Sequence, residues 1–284
     1  MKLYLIFLFI TALLASSCDL IPARSESADA IASSARFTGT SYHATPFDIQ
    51  TYSKGMGTQK ELLTVFVEGD GRAWRRKNRL SADPTPRNPV GLKLATRDSN
   101  PKVLYLGRPC QYLDKKALQD CDSKYWSSHR YAPEVVGAMN NVIDQFLARY
   151  PAHGIILVGY SGGGTLATLM AAKRKDVELL VTLAANLDHE AWTSYHEVTP
   201  LSGSLNARDV ITQIAMIPQI HFLGDQDTVV PPDTLNHVRR EFSKINLDPF
   251  RIIEGFDHTC CWVDAWPEIL CQDSLSSPAY CQYQ

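Results

Sequence analysis

The stretch Ile155-Ile156-Leu157-Val158-Gly159-Tyr160-Ser161-Gly162-Gly163-Gly164 constrains this chain more than any other. It begins as an unbroken apolar run, the pattern of a strand buried on both faces. It ends in Gly-x-Ser-x-Gly and passes into Thr165-Leu166-Ala167-Thr168-Leu169-Met170-Ala171-Ala172-Lys173-Arg174, which reads as a helix with cations near its negative pole. Strand, sharp turn and helix are the setting in which this pentapeptide forms a nucleophile elbow. Such a turn strains Ser161 and leaves no room for a side chain at Gly159 or Gly163. The Ser161 hydroxyl then projects above the sheet, and the amide of Gly162, at a helix N-terminus, faces the same space. A chance glycine-rich turn is the competing reading, and the flanking residues count against it.

The segments around this elbow alternate in type. Phe47 to Tyr52 alternates apolar and polar residues and reads as an early strand, open to antiparallel pairing. Further strands are expected at Leu63 to Val67, Val103 to Leu106, Leu179 to Leu183, Gln219 to Leu223 and Phe250 to Ile253. Helices are expected at Asn88 to Asp98, at 134–150 between Pro133 and Pro151, at Asp209 to Ile217 before Pro218, from near Pro232 to Ile245, and at Trp262 to Leu270. Strands alternating with helices imply a mostly parallel, doubly wound α/β sheet with helices on both faces. The 45% hydrophobic and 20% charged residues suit a globular chain, and a net charge of −2 gives no electrostatic reason to expect nucleic acid as a partner.

The N-terminus carries a different signal. Met1 and Lys2 are followed by an almost wholly apolar run from Leu3 to Leu14. That run is shorter than the roughly 20 residues a bilayer span needs, and fits a secretory signal. It exits through Leu14-Ala15-Ser16-Ser17-Cys18, which resembles a bacterial lipobox, although such boxes more often have Leu where this chain has Ala15. An ordinary signal peptide with an Ala-x-Ser cut is the alternative. Asp19 follows, a residue that favours inner-membrane retention in enteric lipoproteins. The expected organisation is a signal peptide at 1–17, a lipid on Cys18 tethering the protein to a bilayer, a Ser- and Ala-rich flexible tether at 18–36, and one α/β domain at 37–284. The place implied is the bacterial cell envelope, facing the periplasm or the exterior.

Cysteine usage agrees with export. Once Cys18 is set aside, six cysteines remain: Cys110, Cys121, Cys260, Cys261, Cys271 and Cys281. An even number in an exported chain suggests disulfides. Cys110 is expected to pair with Cys121, and the C-terminal four among themselves. A Cys260–Cys261 bridge is disfavoured, because neighbouring cysteines must distort the peptide between them. Cys260 and Cys261 are therefore each expected to reach a partner in the C-terminal segment and so to anchor the loop of His258. A metal site joining His258 to these cysteines lacks Cys-x-x-Cys spacing, and neither metal nor cofactor is expected.

Two strand ends complete the site. Gly224-Asp225-Gln226-Asp227-Thr228-Val229-Val230-Pro231 follows one, and Gly255-Phe256-Asp257-His258 follows another. Ligands bind beyond the C-terminal ends of strands in open α/β sheets. From about residue 37 the chain resembles the α/β-hydrolase superfamily, of the esterase, lipase and serine-peptidase kind. The resemblance is carried by the elbow, by Gly224, Asp227, Val230 and Pro231 in the acid loop, and by the order Ser, Asp, His. It implies Ser161 as nucleophile, Asp227 as acid and His258 as base, acting through an acyl-enzyme on a small or medium acyl substrate. Asp225 and Asp188 are rival acids. Asp257 reads as a solvated loop charge, and His189, His196, His221 and His237 as surface or packing residues.

An oxyanion hole needs a second donor beside the Gly162 amide. Where the superfamily often has His-Gly-x, this chain has Glu68-Gly69-Asp70; the Asp70 amide is the expected donor, with Gly71 next. Arg72 and Arg108 are candidate counter-charges for Glu68. Tyr160, Trp192 and Trp262 are candidate pocket residues. Carboxylic ester cleavage is the leading reading; a serine peptidase or amidase, and a non-catalytic envelope-binding lipoprotein that kept the fold, are the alternatives.

Overall fold

The computed structural model describes residues 23–57, 61–76, 79–273 and 281. The signal peptide and Cys18 lie outside the described residues. Strands β1 (Thr38–Ala44), β2 (Phe47–Lys54) and β3 (Leu63–Val67) come first. A small hairpin follows, β4 (Trp74–Arg76) with β5 (Arg79–Leu80). Then come β6 (Val103–Leu106), β7 (Ile155–Tyr160), β8 (Val177–Leu183), β9 (Gln219–Gly224) and β10 (Phe250–Ile253). Apart from the hairpin they form one sheet, ordered β1-β2-β6-β3-β7-β8-β9-β10. β2 runs antiparallel to both neighbours, and every pair from β6 to β10 is parallel.

The helices are α1 (Arg24–Ser34), α2 (Val90–Arg97), α3 (Lys115–Asp120), α4 (Pro133–Arg149), α5 (Gly162–Ala171), α6 (His189–Tyr195), α7 (Ile211–Ile214), α8 (Asn236–Lys244), α9 (Trp262–Ala265) and α10 (Glu268–Cys271). They cover both faces of the sheet. Ile155 and Leu157 of β7 join the core beneath α4, α5, α7 and α8. Ile156 and Val158 join the opposite core, beneath α1, α2, α9 and α10. Two-sided burial is why β7 reads as an unbroken apolar run. Each large apolar side chain so buried stabilises the fold by about 1.5–3 kcal/mol.

Several boundaries differ from the sequence reading. The segment expected to be a tether is helical from Arg24 to Ser34. Its contact face is small, Ala28 and Ala32, which leaves no apolar periodicity to read. The helix is held by polar contacts as well: Tyr52 Oη donates to Asp29 Oδ1 (2.7 Å), and Arg24 Nη1 donates to the carbonyls of Thr85 (2.8 Å) and Asp83 (3.0 Å). The elbow helix ends at Ala171, so Lys173 and Arg174 lie beyond it, and Arg174 pairs with Asp144 and Asp176. The expected 209–217 helix is a 3-10 turn, Ala207–Val210, followed by the single turn α7. The last helix is two pieces, because Pro267 has no N–H to continue the ladder.

Disulfides join Cys110 to Cys121 and Cys271 to Cys281, with Cα separations of 5.8 and 5.7 Å. The third joins Cys260 to Cys261, against expectation. Cys261 adopts a left-handed φ of 83°, which folds the chain back so that adjacent side chains meet. The bridge therefore ties Cys260 and Cys261 to each other, not to the C-terminal segment.

His221 of β9 is fully buried. Its Nδ1 accepts from Thr182 Oγ1 (2.8 Å) and its Nε2 donates to Gln219 Oε1 (3.1 Å). Burial pushes its pKa down from 6.5 to about 3. Between those values the unfolded chain takes up a proton that the folded chain refuses, so stability falls as the pH drops from about 6.5 towards 3. The thermal midpoint should decline through that window, and His221→Gln should flatten the decline. An equally steep profile in the variant would place the titrating group elsewhere.

Candidate active site

The elbow has the strained backbone that its sequence calls for. Ser161 sits at φ 53° and ψ −125°, in a region side chains rarely occupy. A Cβ on Gly159 would lie 2.4 Å from the Gly163 carbonyl oxygen, and one on Gly163 would lie 2.2 Å from that of Val67. Neither position admits a larger residue. The strain persists because β7 and α5 on either side are buried.

Three loops beyond the strand ends meet at this turn. Ser161 Oγ lies 3.0 Å from His258 Nε2, and His258 Nδ1 lies 2.8 Å from Asp227 Oδ2. The other oxygen, Asp227 Oδ1, accepts from the amides of Val229 and Val230, both at 2.8 Å. Those amides fix the carboxylate before the imidazole meets it. Trp192 of α6 supports the same loop by donating from Nε1 to the Val229 carbonyl (2.6 Å). The rivals are used elsewhere. Asp225 accepts from the Gly255 amide, and Asp188 is taken by Asn206 and Arg208. Asp257 accepts from the amides of Thr259 and Cys260 and so closes the turn after His258.

The His258 loop is anchored by hydrogen bonds, not by the disulfides expected to do so. Tyr160 Oη donates to the His258 carbonyl (2.8 Å), and Trp262 Nε1 donates to the Asp257 carbonyl (2.9 Å). Trp262 is therefore no pocket residue: it is fully buried, edge-on to Phe256. Tyr160 and Trp192 do line the cleft of about 420 Å³ that opens onto Ser161 and His258, together with Glu68, Asp70, Arg72 and Arg87. A neighbouring groove of about 390 Å³ shares the Trp192 and Arg130 walls and adds Trp74, Leu80, Val198 and Leu201.

The loop after β3 packs directly on the elbow: a Cβ on Gly69 would lie 3.4 Å from the Ser161 Cβ. The Gly69 amide is occupied by Glu68 Oε1 (2.9 Å). The amides of Asp70 and Gly162 have no hydrogen-bond partner among the described residues, and both residues line the cleft. Glu68 is not neutralised by an arginine. Its carboxylate accepts from the amides of Gly69, Gly91 and Leu92 and from Tyr105 Oη. Burial raises its pKa even so.

Arg108 pairs instead with Asp70, at 2.7 Å, and Arg130 pairs with the other Asp70 oxygen at 2.6 Å. Tyr131 Oη donates to the same carboxylate (3.1 Å). Burial would raise the Asp70 pKa, but Arg130 and Arg108 outweigh it and bring it to about 2. The sequence reading missed this clamp, having given Arg108 to Glu68 and no role to Arg130 or Tyr131. One signal was available: Asp70 and Arg108 each follow the end of a strand, and β3 and β6 are neighbours.

No family profile matches the chain, and no curated protein does. Solved structures do. The lipase/esterase from Lactobacillus plantarum superposes with a TM-score of 0.58 at 12% identity, over 85% of this chain and 100% of that one. The esterase from Pyrococcus furiosus gives 0.56 at 14%, over 82% and 88%. The acylaminoacyl peptidase from Pyrococcus horikoshii gives 0.57 at 12%, over 78% of this chain, which spans 37% of that protein. The fold is thus that of the α/β hydrolases, many of which neighbour it in structure.

The clamp makes its own prediction. The Arg108 and Arg130 side chains are only 4% and 6% exposed, so Asp70→Ala would strand two buried cations. Removing one partner of a buried pair costs about 3–5 kcal/mol. Chemical denaturation should show a loss of that order, smaller for Asp70→Asn. A variant as stable as wild type would mean that the clamp does not hold this loop.

Proposed function

We propose that this protein is a serine hydrolase that cleaves a carboxylic ester or a related acyl bond through an acyl-enzyme. One observation carries the reading: the continuous hydrogen-bonded line from Ser161 Oγ through His258 to Asp227, at the floor of a cleft. In this reading Ser161 Oγ attacks the acyl carbon while His258 Nε2 takes its proton. Asp227 holds the imidazole with Nδ1–H towards itself and stabilises the cation that forms. The oxyanion is met by the unused amides of Gly162 and Asp70. His258 then protonates the leaving group, and water, activated by the same imidazole, releases the acid. Every group needed belongs to the chain, so no cofactor is invoked.

Ser161→Ala should abolish ester turnover and labelling by a fluorophosphonate probe with little change in thermal midpoint, and His258→Ala should cost a comparable factor, because the three residues act as a unit. Full activity in the Ser161→Ala protein would overturn the assignment. Turnover of peptide anilides in place of esters would move the reading to a peptidase, and a wild type inert to both substrates and probe would favour a non-catalytic lipoprotein.

We also place the protein in the bacterial envelope, held to a bilayer by lipid on Cys18. The support is Leu14-Ala15-Ser16-Ser17-Cys18 after a short apolar run, together with three disulfides suited to an oxidising compartment. Metabolic labelling with a fatty-acid analogue should mark wild type and not Cys18→Ser. A soluble wild type with its mature N-terminus at another residue would refute this.

A further inference from the structure

The cleft has a charge that the reaction does not use. Glu68 is satisfied by amides and a tyrosine, Asp70 by Arg108 and Arg130, and His258 by Asp227. Arg72 and Arg87 line the same cleft as Ser161 and His258. Neither guanidinium has an ion pair or a hydrogen bond among the described residues. The one acid of their segment, Asp83, is paired with Arg24.

The surroundings concentrate the effect. Between Arg72 and Arg87 the chain carries six basic residues against Asp83, although its overall charge is −2. Desolvation and the charges of Arg87, Arg24 and Arg75 push the Arg72 pKa down, so these cations repel one another. Like charges are not gathered beside a reactive serine without cost to the free protein. An anion placed between them removes that repulsion and gains planar, two-pronged hydrogen bonds, which arginine offers to carboxylates and phosphates.

We propose that Arg72 and Arg87 form an anion-binding subsite of the cleft, and that the acyl substrate carries a carboxylate or phosphate near its scissile bond. The proposal rests on the hydrolase reading and adds its substrate class. The subsite lies on the excursion between β3 and α2, which also supplies the Asp70 amide. The anion would thus be held by the same segment that meets the oxyanion, fixing the acyl group between Ser161 and the rim.

The test compares two p-nitrophenyl esters of equal chain length, the monoester of glutaric acid and the neutral pentanoate. Wild type should favour the glutarate in kcat/KM by about tenfold at low salt, the worth of one charge-assisted hydrogen bond. The preference should act mainly through KM and shrink as salt is raised. Arg72→Gln/Arg87→Gln should lose that ratio, and the double lysine variant should restore part of it. Arg149→Gln, at the end of α4, should keep it. Equal kcat/KM for the two esters in wild type, or a double variant that loses both rates in proportion, would overturn the subsite and leave the hydrolase reading standing. If wild type cleaves neither ester, the ester-cleaving form of the hydrolase reading fails and binding decides the subsite. Calorimetry on the Ser161→Ala protein should then show the glutarate monoester bound more tightly than the pentanoate, and this difference lost on adding the two glutamine substitutions; no difference between the esters would overturn the subsite.

Discussion

The structure depends on how closely the start of α5 approaches the end of β3. Gly163 lies so near the carbonyls of Val67 and Glu68 that one added carbon would clash with both. That approach fixes the angle at which the chain leaves β7, and with it the left-handed backbone of Ser161. Strain of about 1–3 kcal/mol is usual for such a residue, and it is offset by the burial of every residue of α5. The position of Ser161 at the cleft is therefore a consequence of packing.

The same approach brings two carboxylates, Glu68 and Asp70, to the edge of the elbow, and the protein treats them in opposite ways. Glu68 turns inward and meets neutral donors, so burial dominates and its proton is held more tightly. Asp70 turns towards Gly162 and meets two arginines, so it stays ionised. Because Arg108 and Arg130 take up Asp70, that carboxylate does not offset the basic segment beyond it, where Arg72 and Arg87 line the cleft. The polarity of the site follows from which carboxylate the arginines reach.

The parallel strands were legible because two-sided burial writes itself as apolar runs, and α4 because a wide apolar stripe lies between two prolines. β1 was not, since only Ala44 of its seven residues is buried and an edge strand facing solvent shows no alternation. α1 packs through alanines and was equally silent. Ser161, Asp227 and His258 could be placed because each follows a strand in a fixed order. Of the Asp70 clamp only the Arg108 half left a signal, because Arg130 comes from the turn before α4, and no periodicity says what such a turn will touch. Trp262 was misplaced for a general reason: proximity in sequence to His258 does not distinguish a side chain that faces the cleft from one that packs beneath it. The adjacent cysteines depend on one backbone angle that composition does not reveal.

The ordering of α1 bears on how far the lipidated form proposed above could stand from a bilayer. A fully extended 18–36 segment would let the domain range about 65 Å from a lipid on Cys18, whereas residues 19–23 alone reach about 20 Å. Arg24, where the helix begins, bonds to Asp83 and Thr85, next to Pro86 and Arg87 at the cleft. In the lipidated form proposed above, the leash would start at the rim of the cleft and be only a few residues long. The cleft would then work within the headgroup layer or just above it, on molecules that concentrate at the bilayer surface, and much of the envelope's aqueous volume would be beyond its reach.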